Sequence, residues 1–334
     1  MSTTHEELTV TTPGGIRHSN LRELIDAHLY MPYPFRRNRY ESEAAAGTDV
    51  WLRRCGLTEE PGVAEMIAYT RPAELASYTS PAVNPGILQI VANQIAYQFV
   101  FDDRAEDVGR RRPHRLLPML CESIGILRDD EPPTTPLGAA LADLYGQVRE
   151  TCTPAQAARW ASLSREYVHG LLYEAVAQAG SSPIRTGLCT SIRSLTAGVE
   201  PFYPLHEAAE QEELTPDELN HPAMRRLARL SADAAVWIPD LFSAVKEQRT
   251  GGMINLALAY ERRYRCSLPA AVLLAIRKIN RTICAFEKLR AQVEPELSPS
   301  ALGCVDGMVG WMRGCYYWSR TVPRYADALA APAV

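Results

Sequence analysis

Three observations predict an all-α chain folded as one domain. Apolar residues recur at three- and four-residue steps, alternating strand patterns are scarce, and no Pro/Gly/Ser-rich linker divides the 334 residues. The length is ample for a sizeable core. At the usual ~11–12 residues per helix plus connections, it predicts about ten to twelve helices. The formal charge is −4, from 35 basic and 39 acidic side chains. That balance argues against non-specific nucleic-acid binding, which normally shows a basic excess.

In chain order, residues 1–14 are polar and end in Pro-Gly-Gly, the pattern of a disordered tail, and MSTTHEELTV has no basic region followed by an apolar stretch, so it does not read as a signal peptide. Thr58 in TEEPG reads as a helix start. Ile87, Ile90, Val91, Ile95 and Phe99 form an apolar helix too short and too amide-rich to span a bilayer. The stretch from Glu207 to Glu218 reads as a solvated loop leading to a helix start at Thr215. Leu227, Leu230, Ala234 and Trp237 mark another helix, and Leu273, Ile276, Ile279, Ile283 and Phe286 a third. Ser298 starts the last, and residues 327–334 form a second tail, leaving one domain over 15–326. The eight cysteines form no CxxC and have no histidine at zinc spacing. They read as reduced, mostly buried small hydrophobes of a cytoplasmic protein. No GxSxG, GxxxxGK[ST] or GxGxxG motif is present in a fitting setting.

The chemistry is concentrated in YQFVFDDRAED, residues 97–107. On a helix, Asp102 and Glu106 are i,i+4, as are Asp103 and Asp107, so each pair shares one side. Packed carboxylates repel and raise one another's pKa unless cations are present. Hard divalent ions with oxygen ligands meet that need, and Mg²⁺ takes one or two carboxylates together with substrate phosphates. A lone DDxxE is more often a solvated helix end. Here it closes an apolar helix, at the end where the macrodipole disfavours acids.

Downstream, WIPDLFSAVKE places Ser243 and Glu247 at i,i+4 with Lys246 beside them. FDDRAED and this segment together resemble, in order and type, the Asp-rich and serine metal motifs of bacterial-type class I terpene synthases. In that family the second motif carries Asn or Asp, Ser or Thr, and Glu at i, i+4 and i+8. The family's diphosphate-sensing arginine stands 46 positions before that motif's first residue, and 239 minus 46 is Arg193. Thr196-Ala197-Gly198 suits the helix break that follows it. MRGCYYWSRTVPRY resembles the family's C-terminal segment, with Trp318, Arg324 and Tyr325 in place. The opening around Trp51 and Gly56-Leu57 also fits, so the resemblance spans roughly residues 30–325.

The resemblance implies a class I helical barrel and Mg²⁺-dependent ionisation of a linear prenyl diphosphate, followed by cyclisation and release of diphosphate. Three ions would be held by Asp102, Asp103, Glu106, Asp107, Ser243 and Glu247. Arg193, Lys246, Arg324 and Tyr325 would grip the diphosphate. Phe99, Gln98, Thr196, Ala197, Gly198 and Trp318 would line the substrate pocket, with Phe202 and Tyr173 as further aromatic candidates. By spacing alone, Phe99 and Trp318 also read as ordinary core. Farnesyl diphosphate is the first-choice substrate, geranylgeranyl diphosphate the second, a bicyclic diterpenyl diphosphate the third. A homodimer is compatible with the implied fold.

Two positions depart from the family. Pro239 stands where the serine motif has its Asn, and proline cannot coordinate a metal. Either a kink turns Asp240 toward the missing ligand position, or the metal site is weakened. In the latter case a degenerate isoprenoid-binding protein is the alternative. Gln98 replaces one of two aromatic residues that often precede the Asp-rich motif. A prenyl-chain elongating transferase would carry a second Asp-rich motif, which the Ser/Glu motif disfavours.

Overall fold

The computed structural model describes residues 20–109, 112–180, 184–210 and 213–326. The expected tails at 1–14 and 327–334 lie outside the described residues. Within them there are α-helices and short 3₁₀ turns and no β-strand. The α-helices are α1 (Leu21–His28), α2 (Glu41–Arg54), α3 (Val63–Thr70), α4 (Pro72–Thr79) and α5 (Pro85–Gly109). Next come α6 (Leu117–Ile126), α7 (Pro136–Thr151), α8 (Pro154–Ala179), α9 (Thr186–Thr196) and α10 (Tyr203–Glu207). The chain closes with α11 (Pro216–Asn220), α12 (Pro222–Thr250), α13 (Leu256–Tyr264), α14 (Leu268–Val293) and α15 (Pro299–Thr321). The described residues thus hold fifteen helices, not ten to twelve. The surplus is in pieces such as α10 and α11, five residues each, too short to show an apolar period.

The starts follow local chemistry. Pro136, Pro154, Pro216, Pro222 and Pro299 each stand in the first turn, where the missing N–H costs nothing. Thr215 closes a capping box with Glu218, and the Ser298 side chain accepts from the Ala301 N–H, as expected from sequence. Thr58 does not start an α-helix; it sits inside a 3₁₀ turn, Leu57–Glu59. Glu207 departs from its expected solvated state as well. It is buried, pairs with Arg159 and accepts from the Leu214 N–H.

The apolar periods become the core. Leu227, Leu230, Ala234 and Trp237 are buried on α12; Ile276, Ile279, Ile283 and Phe286 are buried on α14. Six helices pack in a closed circuit: α5 on α8, α8 on α9, α9 on α12, α12 on α15, α15 on α4, and α4 back on α5. A circuit of helices leaves an axial space, and that space is the main cavity. The α4–α15 side is closed by contact with glycine. A Cβ at Gly310 would lie 2.1 Å from the Thr79 carbonyl oxygen. All eight cysteines are free: four are buried, two are half-buried, and Cys121 and Cys284 are exposed. Among the described residues, no helix is long and apolar enough to cross a membrane.

Candidate active site

The axial cavity measures about 930 Å³. Residues far apart in sequence meet there: Asp102, Asp103 and Glu106 from α5, Arg193 from α9, Ser243, Lys246 and Glu247 from α12, and Arg324 and Tyr325 after α15. Asp103, Glu106 and Lys246 are exposed at the mouth. Ile95, Ala235, Trp311, Cys315 and Trp318 are buried and form the apolar interior. The cavity is therefore charged at its opening and largely apolar and aromatic below.

The acidic wall is held from α8. The Tyr167 hydroxyl donates to Asp102 Oδ1. Burial pushes the Asp102 carboxyl up to about 7, against the Tyr167 hydrogen bond. On the facing wall, burial and the nearby Asp240 raise Glu247 to about 7, while Ser243, Arg193 and Asn255 favour its charged form. Two half-buried carboxylates raised in this way are short of positive charge, and a divalent cation would supply it. Among the described residues, no three His, Cys, Asp or Glu side chains already meet around one point. An ion here would complete its shell with water or phosphate oxygens, as Mg²⁺ commonly does. The donor set, hard oxygens on two walls, fits such an ion.

The cationic groups lie between the walls. Burial works against the Arg193 guanidinium, yet Asp240, Glu174 and Glu247 hold its pKa above the usual arginine value. Arg324 is raised too, with Tyr325, Asp103 and Asp102 outweighing its burial. Its guanidinium carbon lies 5.9 Å from the centre of the Phe99 ring. Phe99 stacks on Trp318 with centroids 5.8 Å apart and planes 16° apart, and Trp318 meets Tyr325 edge-on at 5.7 Å. Trp318 Nε1 donates to the Thr70 carbonyl at 2.8 Å, so its polar end is satisfied and its ring fixed.

Several expectations change. Asp240 lines the cavity but is not turned to replace a metal ligand. Its Oδ1 accepts from Arg193 at 2.7 Å and its Oδ2 from the Leu256 N–H at 2.9 Å. The carboxylate thus has a partner on each oxygen, and it acts on the arginine. Helix α12 runs through Pro239 without a break. Asp107 is exposed and lies off the cavity wall, because it stands about 40° beyond Asp103, outside the arc of the helix that Asp102, Glu106 and Asp103 span. Tyr173 is exposed on the outer face of α8, and Phe202 does not line the cavity but backs Trp311, with centroids 4.5 Å apart.

Gln98 has a role that the aromatic comparison did not foresee. Its Nε2 donates to the Gly198 carbonyl at 3.0 Å, tying α5 to the turn after α9. Gly198 has φ +59°, and a Cβ there would stand 2.7 Å from Gln98 Nε2. Thr196 and Ala197 line the cavity, whereas Gly198 only supports Gln98. Sequence reasoning missed Tyr167, Glu174, Trp311 and Asn255. None sits in a motif with telling spacing; only tertiary contact reveals them.

The comparisons agree with this geometry. Residues 94–284 match the family model described as terpene synthase family 2, C-terminal metal binding. The chain is 72% identical over 333 residues to a (−)-alpha-amorphene synthase ((2E,6E)-farnesyl diphosphate cyclizing) of Streptomyces viridochromogenes, covering 100% of this chain and 98% of the relative. It is 28% identical to a corvol ether synthase of Kitasatospora setae, over 90% of this chain and 95% of that one. The crystal structure of germacradien-4-ol synthase from Streptomyces citricolor superposes with a TM-score of 0.77 at 25% identity, covering 88% of this chain and 98% of the other. With its motifs assembled around one cavity, the chain belongs to the terpene synthase family and is a class I terpene synthase, a carbon–oxygen lyase.

Proposed function

We propose that this enzyme ionises farnesyl diphosphate with the help of Mg²⁺, cyclises the resulting carbocation and releases diphosphate. The observation that carries the reading is the cavity itself. Carboxylates on α5 face Ser243 and Glu247 on α12, with Arg193, Lys246 and Arg324 between them and an apolar interior below. The high identity to a farnesyl diphosphate cyclising relative supports the C15 substrate. Three Mg²⁺ ions would be held by Asp102, Asp103 and Glu106 on one side and Ser243 and Glu247 on the other. Bound metal supplies Lewis-acid neutralisation of the leaving diphosphate.

The protein's own groups do the rest. The arginines and Lys246 donate to phosphate oxygens, the planar guanidinium fork of Arg193 and Arg324 suiting two at once. Tyr325 adds an O–H donor. The Phe99–Trp318 stack presents aromatic surface to a cation, worth roughly 0.5–2 kcal/mol per ring. The apolar surface of Ile95, Ala235, Trp311 and Trp318 would keep away water that could quench the cation early. A C20 substrate is a second reading, favoured by a cavity near the upper end of the ~300–1,000 Å³ range of small-molecule pockets.

Incubation with Mg²⁺ and C10, C15 or C20 diphosphate, with product analysis, tests the proposal. A cyclic C15 hydrocarbon or alcohol is expected. Turnover of the C20 substrate alone would transfer the assignment to the second reading, and a lengthened diphosphate would mean a transferase. Asp102→Ala and Glu247→Ala should each abolish turnover with the helical circular dichroism intact; full activity in either would overturn the metal assignment.

A further inference from the structure

Asn255 precedes α13 and is fully buried. Its side chain makes four hydrogen bonds. Oδ1 accepts from the Ala257 N–H at 2.9 Å and the Leu258 N–H at 3.1 Å, capping α13. Nδ2 donates to the Asp240 main-chain carbonyl at 2.9 Å and to Ser243 Oγ at 3.2 Å. The next N–H, that of Leu256, donates to Asp240 Oδ2, whose other oxygen holds Arg193. One short turn therefore touches the serine of the second motif and, through Asp240, the arginine between the walls.

A cap needs only the acceptor oxygen. The amide nitrogen does something further. A serine hydroxyl has one proton and two lone pairs. Asn255 occupies one lone pair, so Ser243 is left with one lone pair and its proton for the cavity side and for Glu247. A hydroxyl that would otherwise rotate among three positions is thereby oriented. Pro239 makes this orientation more consequential. With proline at the motif's first position, α12 offers two side chains toward a metal rather than three.

We propose that Asn255 is a positioning residue of the active site, whose amide orients Ser243 for metal binding and seats the Asp240–Arg193 pair for the diphosphate. This rests on the functional reading above. Asn255→Ser keeps an oxygen acceptor at the cap but loses the amide donor and its reach. The test is calorimetric titration of Mg²⁺ with inorganic diphosphate into wild type, Asn255→Ser, Ser243→Ala and the double variant, with circular dichroism of each.

Asn255→Ser is expected to stay helical and to bind at least tenfold more weakly, with the Mg²⁺ concentration for half-maximal turnover rising in parallel. The double variant should lose less binding than the sum of the two single losses, because the Ser243 route is shared and residues acting as a unit are not additive. Equal binding by wild type and Asn255→Ser, or strictly additive losses, would overturn the proposal. If Asn255→Ser fails to fold, Asn255→Asp, which keeps the cap acceptor and removes the donor, decides by the same binding measurement. Failure of the wild type itself to bind Mg²⁺ and diphosphate would instead strike the functional reading.

Discussion

At the scale of single residues, the site depends on side chains that touch its charged groups from behind. Tyr167 is the clearest case, since its hydroxyl donates to Asp102 and lies outside any motif. Partners of this kind orient a ligand, and their loss typically costs about 10–100-fold in metal affinity. Tyr167→Phe should therefore raise the Mg²⁺ needed for half-maximal turnover by about tenfold while leaving the fold unchanged. Turnover measured across a Mg²⁺ series checks this; an unchanged midpoint would show that Asp102 needs no such support. Residue spacing already placed Asp102 with Glu106, and Ser243 with Glu247, each on one helix face, and the family resemblance pointed to Arg193. Spacing could not tell that Asp240 serves the arginine, because its two partners come from α9 and from the start of α13.

At the scale of elements, the cavity exists because six helices close on one another, and α4 and α15 approach closely through glycine. Gly310 sets that approach, and Gly314 repeats it one turn later, where a Cβ would lie 2.7 Å from the Thr79 nitrogen. The obstructing atoms include the Thr79 backbone at both positions, so α4 would have to move. Gly310→Ala should cost at least ~2 kcal/mol by overpacking, despite alanine's better helix propensity. Denaturant unfolding measures it; a stabilised variant would show that the helices can separate freely. Trp318 and Phe99 lie on helices of this circuit, so a lesser variant at Gly314 should also lower turnover. Sequence periodicity revealed the long helices well. The five-residue helices and the 3₁₀ turn at Thr58 were not legible, because one turn carries no apolar repeat and its ends are set by neighbours.

At the scale of the whole molecule, stability should carry a signature of one buried histidine. His206 is buried, with Nε2 2.8 Å from Ser80 Oγ. Burial pushes its pKa down to about 4, below the ~6.5 of an unfolded histidine. The unfolded chain therefore takes up a proton first. The stability conferred by the neutral ring is full above about pH 6.5 and is lost as pH falls toward 4. Asp102 and Glu247, with raised values, act with the opposite sign over that range. The comparison with His206→Gln isolates the histidine: the variant should lose less stability than wild type between pH 7 and pH 5. Parallel losses in denaturant unfolding at the two pH values would refute it.

Across these scales, the family resemblance pointed to Arg193, while the sequence by itself determined the helical class, the long amphipathic helices, and the helix faces shared by Asp102 with Glu106 and by Ser243 with Glu247. Those last are local properties, set by a period of 3.6 residues and by the chemistry of carboxylates. Tertiary structure alone decided which residues share the cavity. It placed Asp107 and Tyr173 outside, turned Phe202 into support for Trp311, and gave Gln98 to Gly198 and Asp240 to Arg193. It also brought Tyr167, Trp311 and Asn255 to the site. The physical reason is that hydrogen bonds and packing across the helix circuit join residues many turns apart, and no spacing within one helix encodes its partner on another.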